Sequence, residues 1–481
     1  MHLTVILRIT GTLLTLFSFS FLLPTAVALF FAESTHTTFF AAFAITLVSG
    51  LILWLPLRGE RELRGGDGFL VTALFYLGLG MFGAIPFWLA ESLQLSFTDA
   101  VFESISGLTT TGATTIVGLD SLPKSLLIYR QMLQWMGGMG IIVLAVAIYP
   151  MLGIGGMQLY RTESAGPMKD NKLTPRITET AKALWYLYIG LTAACALAYW
   201  LAGMNGFDAI AHSFSTVSIG GFSTHDTSMG YFDSGIIETV AIVFMTLSGI
   251  NFALHFLVWR RRNLLHYFQD IEVRVYLFVL ALVATIVCAI LWWHPGSSDE
   301  VLRDGIFQAV SITTTTGFTT SNFAAWPSVA PIILLFAAFA GGCAGSTAGG
   351  IKMIRVLMIY LQGMREVKRL IHPNGVFTIK LGRESVADRR VDAVWSFFSV
   401  YVFFFLLSVC TLMVLSDIDF ITAFSAVGAC LNNLGPGLGD VAANYNGISA
   451  EVKWVLMFNM VLGRLEIFTL LVLLTPAYWR R

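Results

Sequence analysis

Four short stretches of this chain place small polar side chains beside a glycine, between long apolar runs; in three of them the polar groups are hydroxyls, and in the fourth they are asparagine amides. The fullest is "SITTTTGFTT" at residues 311–320. "TTTGATT" lies at 109–115, "SIGGFST" at 218–224 and "NNLGPGLGD" at 432–440. Such backbone can do one kind of chemistry well. Glycine reaches dihedrals that turn carbonyl oxygens to one side, and a ring of such oxygens replaces the water shell of a cation. The threonines fit the same task, because a β-branched side chain stiffens an extended strand and its hydroxyl satisfies a backbone group or faces the ion.

The four copies align. With Gly112, Gly221, Gly317 and Gly435 in register, the residue thirteen positions earlier is Asp99, Asp208, Asp304 or Thr422, all types favoured at helix N-caps. Six before the glycine stand Ser106, Ser215, Ser311 and Ala429. The interval holds a helix of about 12 residues and ~18 Å, too short to cross a bilayer. Non-helical backbone at membrane depth is tolerated only where it lines water or is buried in protein, so the four segments must converge. Their half-helices would then point C-terminal partial negative charge at a cation held between them. The copies lie 109, 96 and 118 residues apart, the spacing of whole structural units.

The elements that must position them follow from composition. Of 481 residues, 56% are hydrophobic and 12% charged, and mean hydropathy is +0.75, which excludes a soluble domain and implies an all-α polytopic membrane protein. Zero net charge gives no basic field for nucleic acid. The five cysteines lie in apolar segments without metal-ligand spacing, so neither a disulfide framework nor a zinc site is expected. Apolar runs near 9–31, 39–57, 69–90, 126–150, 183–203, 235–259, 275–293, 394–415 and 454–478 predict spans, the first two as an uncleaved hairpin. A tenth span is interrupted: it is apolar over 329–340, reads "GGCAGSTAGG" at 341–350, and resumes to 361. Of 29 Lys and Arg, 24 fall near the N-terminus, in 58–68, 151–183, 260–274 and 352–390, and at the C-terminal pair. These segments are therefore expected in the cytoplasm with both termini, and the loops carrying Lys124, Arg130, Arg303 and Lys453 outside. The unit of span, half-helix, glycine strand and span predicts repeats at 67–160, 161–268, 269–384 and 385–481, after an N-terminal hairpin at 1–66.

These motifs, with "GRLEIFTLL" at 463–471 and the cytoplasmic "GIGGMQLYR" and "KLTPRITETAKALW", resemble the Trk-type potassium uptake proteins of the Trk/Ktr/HKT superfamily, specifically membrane subunits of the TrkH/TrkG kind. The resemblance covers essentially the whole chain. It implies potassium uptake across a bacterial inner membrane, four membrane-pore-membrane repeats, a homodimer, and a cytoplasmic ring of nucleotide-binding regulatory subunits. Lipid is the remaining partner, and potassium is substrate, with no cofactor. The expected filter is Thr110, Thr111 and Gly112; Ile219, Gly220 and Gly221; Thr315, Thr316 and Gly317; and Asn433, Leu434 and Gly435. Each repeat has one aligned glycine where potassium channels have "TVGYG", so fewer carbonyl layers imply looser discrimination among monovalent cations.

The interruption comprises Gly341, Gly342, Cys343, Ala344, Gly345, Ser346, Thr347, Ala348, Gly349 and Gly350. Five glycines in ten residues cannot continue a helix. Lys352 lacks the context of a phosphate loop. Two readings stay open: a glycine-rich packing contact, and a flap gating the pore below the filter, which the resemblance supports. Arg464, near the middle of the last span, is expected either beside the cation path or bonded to a buried carbonyl. Glu103, His212 and Gln308 share the position nine before the glycine, and their differing chemistry points to packing around the half-helices. Asp120, Asp226, Asp233 and Asp440 either enrich cations at the mouth or are solvated loop charges. A secondary transporter with re-entrant loops is the alternative, but it predicts inverted repeats. A membrane enzyme would need paired carboxylates or a metal cluster within the spans, and the sequence has neither.

Overall fold

The computed structural model describes residues 3–56, 67–152, 177–294, 299–327, 329–382 and 384–480. The motif "GIGGMQLYR" and most of the basic segments 58–68 and 151–183 lie outside them. Among the described residues the fold is helical, except for one short hairpin pairing Lys380–Leu381 with Glu384–Ser385.

Six stretches are long and apolar enough to cross a membrane unaided: Thr4–Phe30, His36–Trp54, Gly68–Leu89, Lys182–Leu201, Ile271–Trp293 and Asp388–Leu415. The expected interrupted span is Ala330–Ala340 followed, across the glycine loop, by Met353–Ile371. Two spans expected to be continuous are broken instead. Gly235–Ser248 meets Phe252–Arg261 at 95°, and Ala450–Arg464 meets Phe468–Leu474 at 115°. In the first, Asn251 starts a new helix by accepting the Ala253 N–H on its side chain at 2.8 Å. In the second, Glu466 and Ile467 take positive φ of 54° and 57°, and Arg355 holds the Glu466 carboxylate at 2.6 Å. The remaining span, Lys124–Leu152, carries non-helical dihedrals at Gly140. Every repeat's second span is thus broken, where the apolar pattern reveals only one.

The N-terminal hairpin packs through its own glycines. A Cβ at Gly11 would lie 2.7 Å from the Trp54 nitrogen, and one at Gly50 2.7 Å from that of Thr15, so the two helices cross backbone to backbone.

The four short helices are Phe97–Leu108, Gly206–Ser218, Asp299–Thr313 and Phe420–Leu431, of 12, 13, 15 and 12 residues. Their caps differ from expectation. Asp99 and Asp208 sit three residues inside the helix, and the caps are Ser96 and Asn205, whose side chains accept the Asp99 and Asp208 N–H groups. Ser96 and Asn205 also donate back to those carboxylates at 2.6 Å each. Each is a reciprocal box in which a first-turn carboxylate takes a role that alignment alone assigns to the cap. In the fourth helix the cap is Asp419, with Thr422 again inside.

A second correction concerns outward charge. The four basic residues expected in loops are in helices: Lys124 opens one, Arg303 lies in the third short helix, and Arg130 and Lys453 lie within helices and are buried. Lys453 donates to Asp99 at 2.6 Å and so ties repeat four to repeat one, while Arg303 of repeat three grips Glu238 of repeat two at 2.8 Å. Ion pairs therefore join neighbouring repeats around the half-helices.

Candidate pore and its inner loop

All four half-helices end the same way. The N–H groups of Thr111, Gly220, Thr316 and Leu434 donate to the carbonyls of Ser106, Ser215, Ser311 and Ala429, each at 2.8 Å. The residue before each donor, Thr110, Ile219, Thr315 or Asn433, has φ of 54°, 56°, 66° or 53°. This is the left-handed helix ending usually given to glycine. Two threonines and an isoleucine occupy it, at a cost of ~1–3 kcal/mol each that surrounding structure must offset. The chain leaves the helix at once and reaches the aligned glycine two residues later.

The glycines stand in a closed ring. A Cβ added at Gly112 would fall 2.1 Å from the Gly220 carbonyl oxygen, at Gly221 2.0 Å from that of Thr316, at Gly317 2.8 Å from the Pro436 ring, and at Gly435 2.6 Å from the Gly112 oxygen. The order one, two, three, four and back to one leaves no room for a side chain at any contact. Gly112, Gly221 and Gly317 also need their φ of 79°, 82° and 85°. Gly435 does not. Its φ lies outside the left-handed region, so the expectation of unusual dihedrals holds at three positions, and at the fourth the lack of a side chain alone matters. All four glycines border one cavity of about 460 Å³, with Thr114, Ser223, Thr319 and Asp226 farther out.

Glu103, His212 and Gln308 tie each half-helix to the strand beyond its glycine. Glu103 accepts from the Thr115 N–H at 2.9 Å, His212 Nε2 lies 3.0 Å from Ser223 Oγ, and Gln308 Oε1 accepts from the Thr320 N–H at 3.4 Å. Ser425 serves repeat four by accepting the Leu438 N–H at 2.8 Å. Arg130, 1% exposed, reinforces the first tie: it donates to Glu103 at 2.7 Å, to the Ser223 carbonyl at 3.0 Å and to Thr114 Oγ1 at 3.1 Å. Removing one member of a buried pair strands the other charge. Glu103→Gln is therefore expected to lower stability by about 3–5 kcal/mol, whereas Glu103→Gln with Arg130→Met should recover much of it. Melting temperatures of the purified variants decide the point, and equal losses in both would mean that the pair is not what holds this corner.

At the mouth, His225 reaches Asp120 of repeat one at 2.5 Å and Asp208 of its own repeat at 3.4 Å. Burial favours the neutral imidazole, but hydrogen bonds to the two carboxylates outweigh it and raise the His225 pKa. The same bond lowers that of Asp120. Asp233 pairs with Arg303 at 2.7 Å, and Asp226 accepts the Gly118 N–H at 2.9 Å, so with Asp120 three of the four outer acids are joined to protein groups rather than only solvated.

The glycine loop lies at the inner end of the ring. The Gly349 N–H donates to Thr315 Oγ1 at 2.7 Å, the Gly350 N–H to the Asn432 carbonyl at 3.0 Å, and Thr347 Oγ1 to the Val217 carbonyl at 3.0 Å. The loop thus touches the half-helix ends of repeats two, three and four. It is also pinned from below. The Cys343 N–H donates to the Gly249 carbonyl, and Glu272 accepts the N–H groups of Ala344 and Ile354 at 2.7 and 3.1 Å. Lys352 Nζ donates to the Ala348 carbonyl. Arg464 closes the fourth side: its guanidinium donates to the Thr347 carbonyl at 3.2 Å and to the Gly137 carbonyl of repeat one at 2.7 Å.

Glu272 and the breaks in repeats one, two and four carried no sequence expectation, yet a signal for the breaks exists. Gly140, Gly249, Gly345 and Gly463 each lie 28 residues after the aligned glycine of their repeat. Extending the register past the aligned glycines finds them.

Comparison with known proteins agrees with this architecture. Residues 35–481 match the TrkH family, described as a cation transport protein. The chain is 55% identical to the Trk system potassium uptake protein TrkH of Halomonas elongata and 53% identical to that of Escherichia coli, over the full length of each pair. It is 42% identical to TrkG of Escherichia coli, covering all of this chain and 99% of that one. The crystal structure of the potassium transporter TrkH from Vibrio parahaemolyticus superposes with a TM-score of 0.91 at 51% identity, covering both chains completely. With its motifs and its four half-helices in place and its length aligned with these relatives, this chain belongs to the TrkH family of cation transport proteins.

Proposed function

We propose that this chain is the potassium-translocating subunit of an uptake system in a bacterial inner membrane, with both termini in the cytoplasm. Potassium passes through the ring formed by residues 110–112, 219–221, 315–317 and 433–435, and the loop 341–350 with Arg464 gates its inner end. One observation carries the reading: a single cavity is bordered by all four aligned glycines, while the glycine loop covers the opposite end of the same strands. The names of the relatives support the ion. The repeats take the boundaries 67–160, 161–268, 269–384 and 385–481 after the hairpin 1–66. Potassium and sodium flux in proteoliposomes at set voltages tests it. With potassium as the sole permeant cation a pore passes current that reverses at the potassium equilibrium potential, and reversal elsewhere would replace it with a coupled carrier.

The subunit works as a homodimer under a cytoplasmic nucleotide-binding ring. Its proposed docking surface includes the end of Met353–Ile371, where Lys368 and Arg369 are exposed. Arg365 does not belong to that surface, since it is buried against Asp388. Lys368→Glu with Arg369→Glu is expected to reduce co-purification of the partner about tenfold, as the loss of two surface contacts of ~0.5–1 kcal/mol each predicts. Unchanged recovery of the partner would exclude this surface.

A further inference from the structure

A second large cavity, about 990 Å³, has no part in the pore. It runs along the face of Ile177–Leu201 that presents Lys182, Tyr186, Gly190 and Ala194, and is closed by the bent helix Phe252–Arg261 with Leu264 and Tyr267. Its floor is apolar. Basic residues stand at one end: Lys182 and Arg262 line it, Arg260 and Arg261 adjoin it, and all four are exposed. None of the four forms an ion pair among the described residues. Between Lys182 and Ala194 the helix rises ~18 Å, close to the ~15 Å depth of one leaflet's hydrocarbon. Tyr186 and Trp259, 67% and 69% exposed, lie near the basic end as aromatics do at a membrane surface.

We propose that this groove binds a phospholipid with an anionic headgroup, its acyl chains along Tyr186 to Ala194 and its phosphate between Lys182 and Arg262. The placement in the inner leaflet rests on the cytoplasmic orientation proposed above. Charge complementarity selects this occupant: a zwitterionic lipid leaves the basic end uncompensated, and a second copy of the chain would have to bring carboxylates to it. The site adjoins the gate. Leu247 and Phe252 line the groove on either side of the break at 249–251, and this break holds the loop through the Gly249 carbonyl and the Phe252 N–H, which donates to the Gly345 carbonyl at 3.0 Å. A lipid seated here therefore braces the helix from which the loop hangs.

A Cβ at Gly190 meets nothing within 4 Å, so Gly190→Leu fills the groove without a clash and with better helix propensity. Purified full-length protein is delipidated in detergent, titrated with phosphatidylglycerol or phosphatidylcholine, and its bound lipids are counted by native mass spectrometry. The wild type is expected to retain one phosphatidylglycerol with a preference of roughly tenfold over phosphatidylcholine. Lys182→Glu with Arg262→Glu should abolish the preference, and Gly190→Leu should abolish retention, both with melting temperatures unchanged. No headgroup preference in the wild type, or a preference that survives both variants, overturns the site. Dissociation of a dimer by Gly190→Leu with lipid retention intact also overturns it and gives the groove to a second copy. This readout requires no transport, so failure of the uptake reading in liposome flux is a separate result.

Discussion

Gly221→Ser and Gly112→Ser are expected to lower the preference for potassium over sodium at least tenfold, a loss of ~1.4 kcal/mol or more in relative binding. A Cβ at either position would sit 2.0 or 2.1 Å from a carbonyl oxygen of the next repeat, and at φ of 82° or 79° an L side chain is strained even with space available. Either the strand turns to another dihedral or the neighbouring strand moves away. Both displace carbonyls from the ring that would replace the ion's water. The geometry ranks the four positions. Gly317→Ser should have a smaller effect, since the nearest atom is the Pro436 ring at 2.8 Å, and Gly435→Ser the smallest, since no unusual dihedral is needed there. Gly118 is the control: its φ is 77°, yet a Cβ meets only Ser121 Oγ at 3.7 Å, so Gly118→Ala should leave selectivity intact. Relative uptake of the two ions by purified variants in liposomes measures all five. If Gly112→Ser and Gly221→Ser discriminate as the wild type does, the ring is not the filter.

The repeat was legible in the sequence because a short helix, its end and a close backbone contact each demand particular residue types at fixed spacing. Four glycines in register sufficed to place the half-helices and to predict their convergence. The same register misassigned the caps, because aspartate suits both the cap and the first turn, and Ser96 and Asn205 three positions earlier settle which it takes. It was silent about the partners of Arg130 and Lys453. Topology rules count basic residues near span ends without asking whether a carboxylate from another repeat meets them, as Asp99 meets Lys453 across 354 residues of chain. The bends near Gly249 and Arg464 were hidden for another reason. Hydropathy averages over a window, and a two- or three-residue break flanked by leucine and isoleucine leaves that average unchanged. Only the loop 341–350, with its five glycines, was long enough to interrupt the pattern.

The loop and Arg464 give the second large effect. Deleting residues 343–348, or replacing Arg464 with alanine, is expected to raise basal potassium flux about fivefold or more in the absence of any regulatory subunit. The deletion removes the Thr347 hydroxyl bond to Val217, the Cys343 bond to Gly249 and the Gly345 bond to Phe252, each worth ~0.5–1.5 kcal/mol to the present position of the loop. Arg464→Ala acts twice. It releases Thr347 from Gly137 on the far side of the path, and it removes a unit positive charge, whose repulsion of a cation ~8 Å away at an effective dielectric of ~20 is ~2 kcal/mol. Arg464→Lys separates the two contributions, since it keeps the charge but cannot hold both carbonyls with a planar fork. If charge sets the barrier, the lysine variant stays near wild type; if the bridge does, its flux follows that of alanine. Neither change touches the ring of glycines, so the ratio of potassium to sodium flux should stay within about twofold of wild type. The loop continues into Met353–Ile371 and is hydrogen-bonded to the bend before Phe252, so a pull on either helix can draw it from beneath the ring. Unchanged basal flux in a folded deletion variant and in Arg464→Ala would make loop and arginine structural and move the barrier elsewhere along the path.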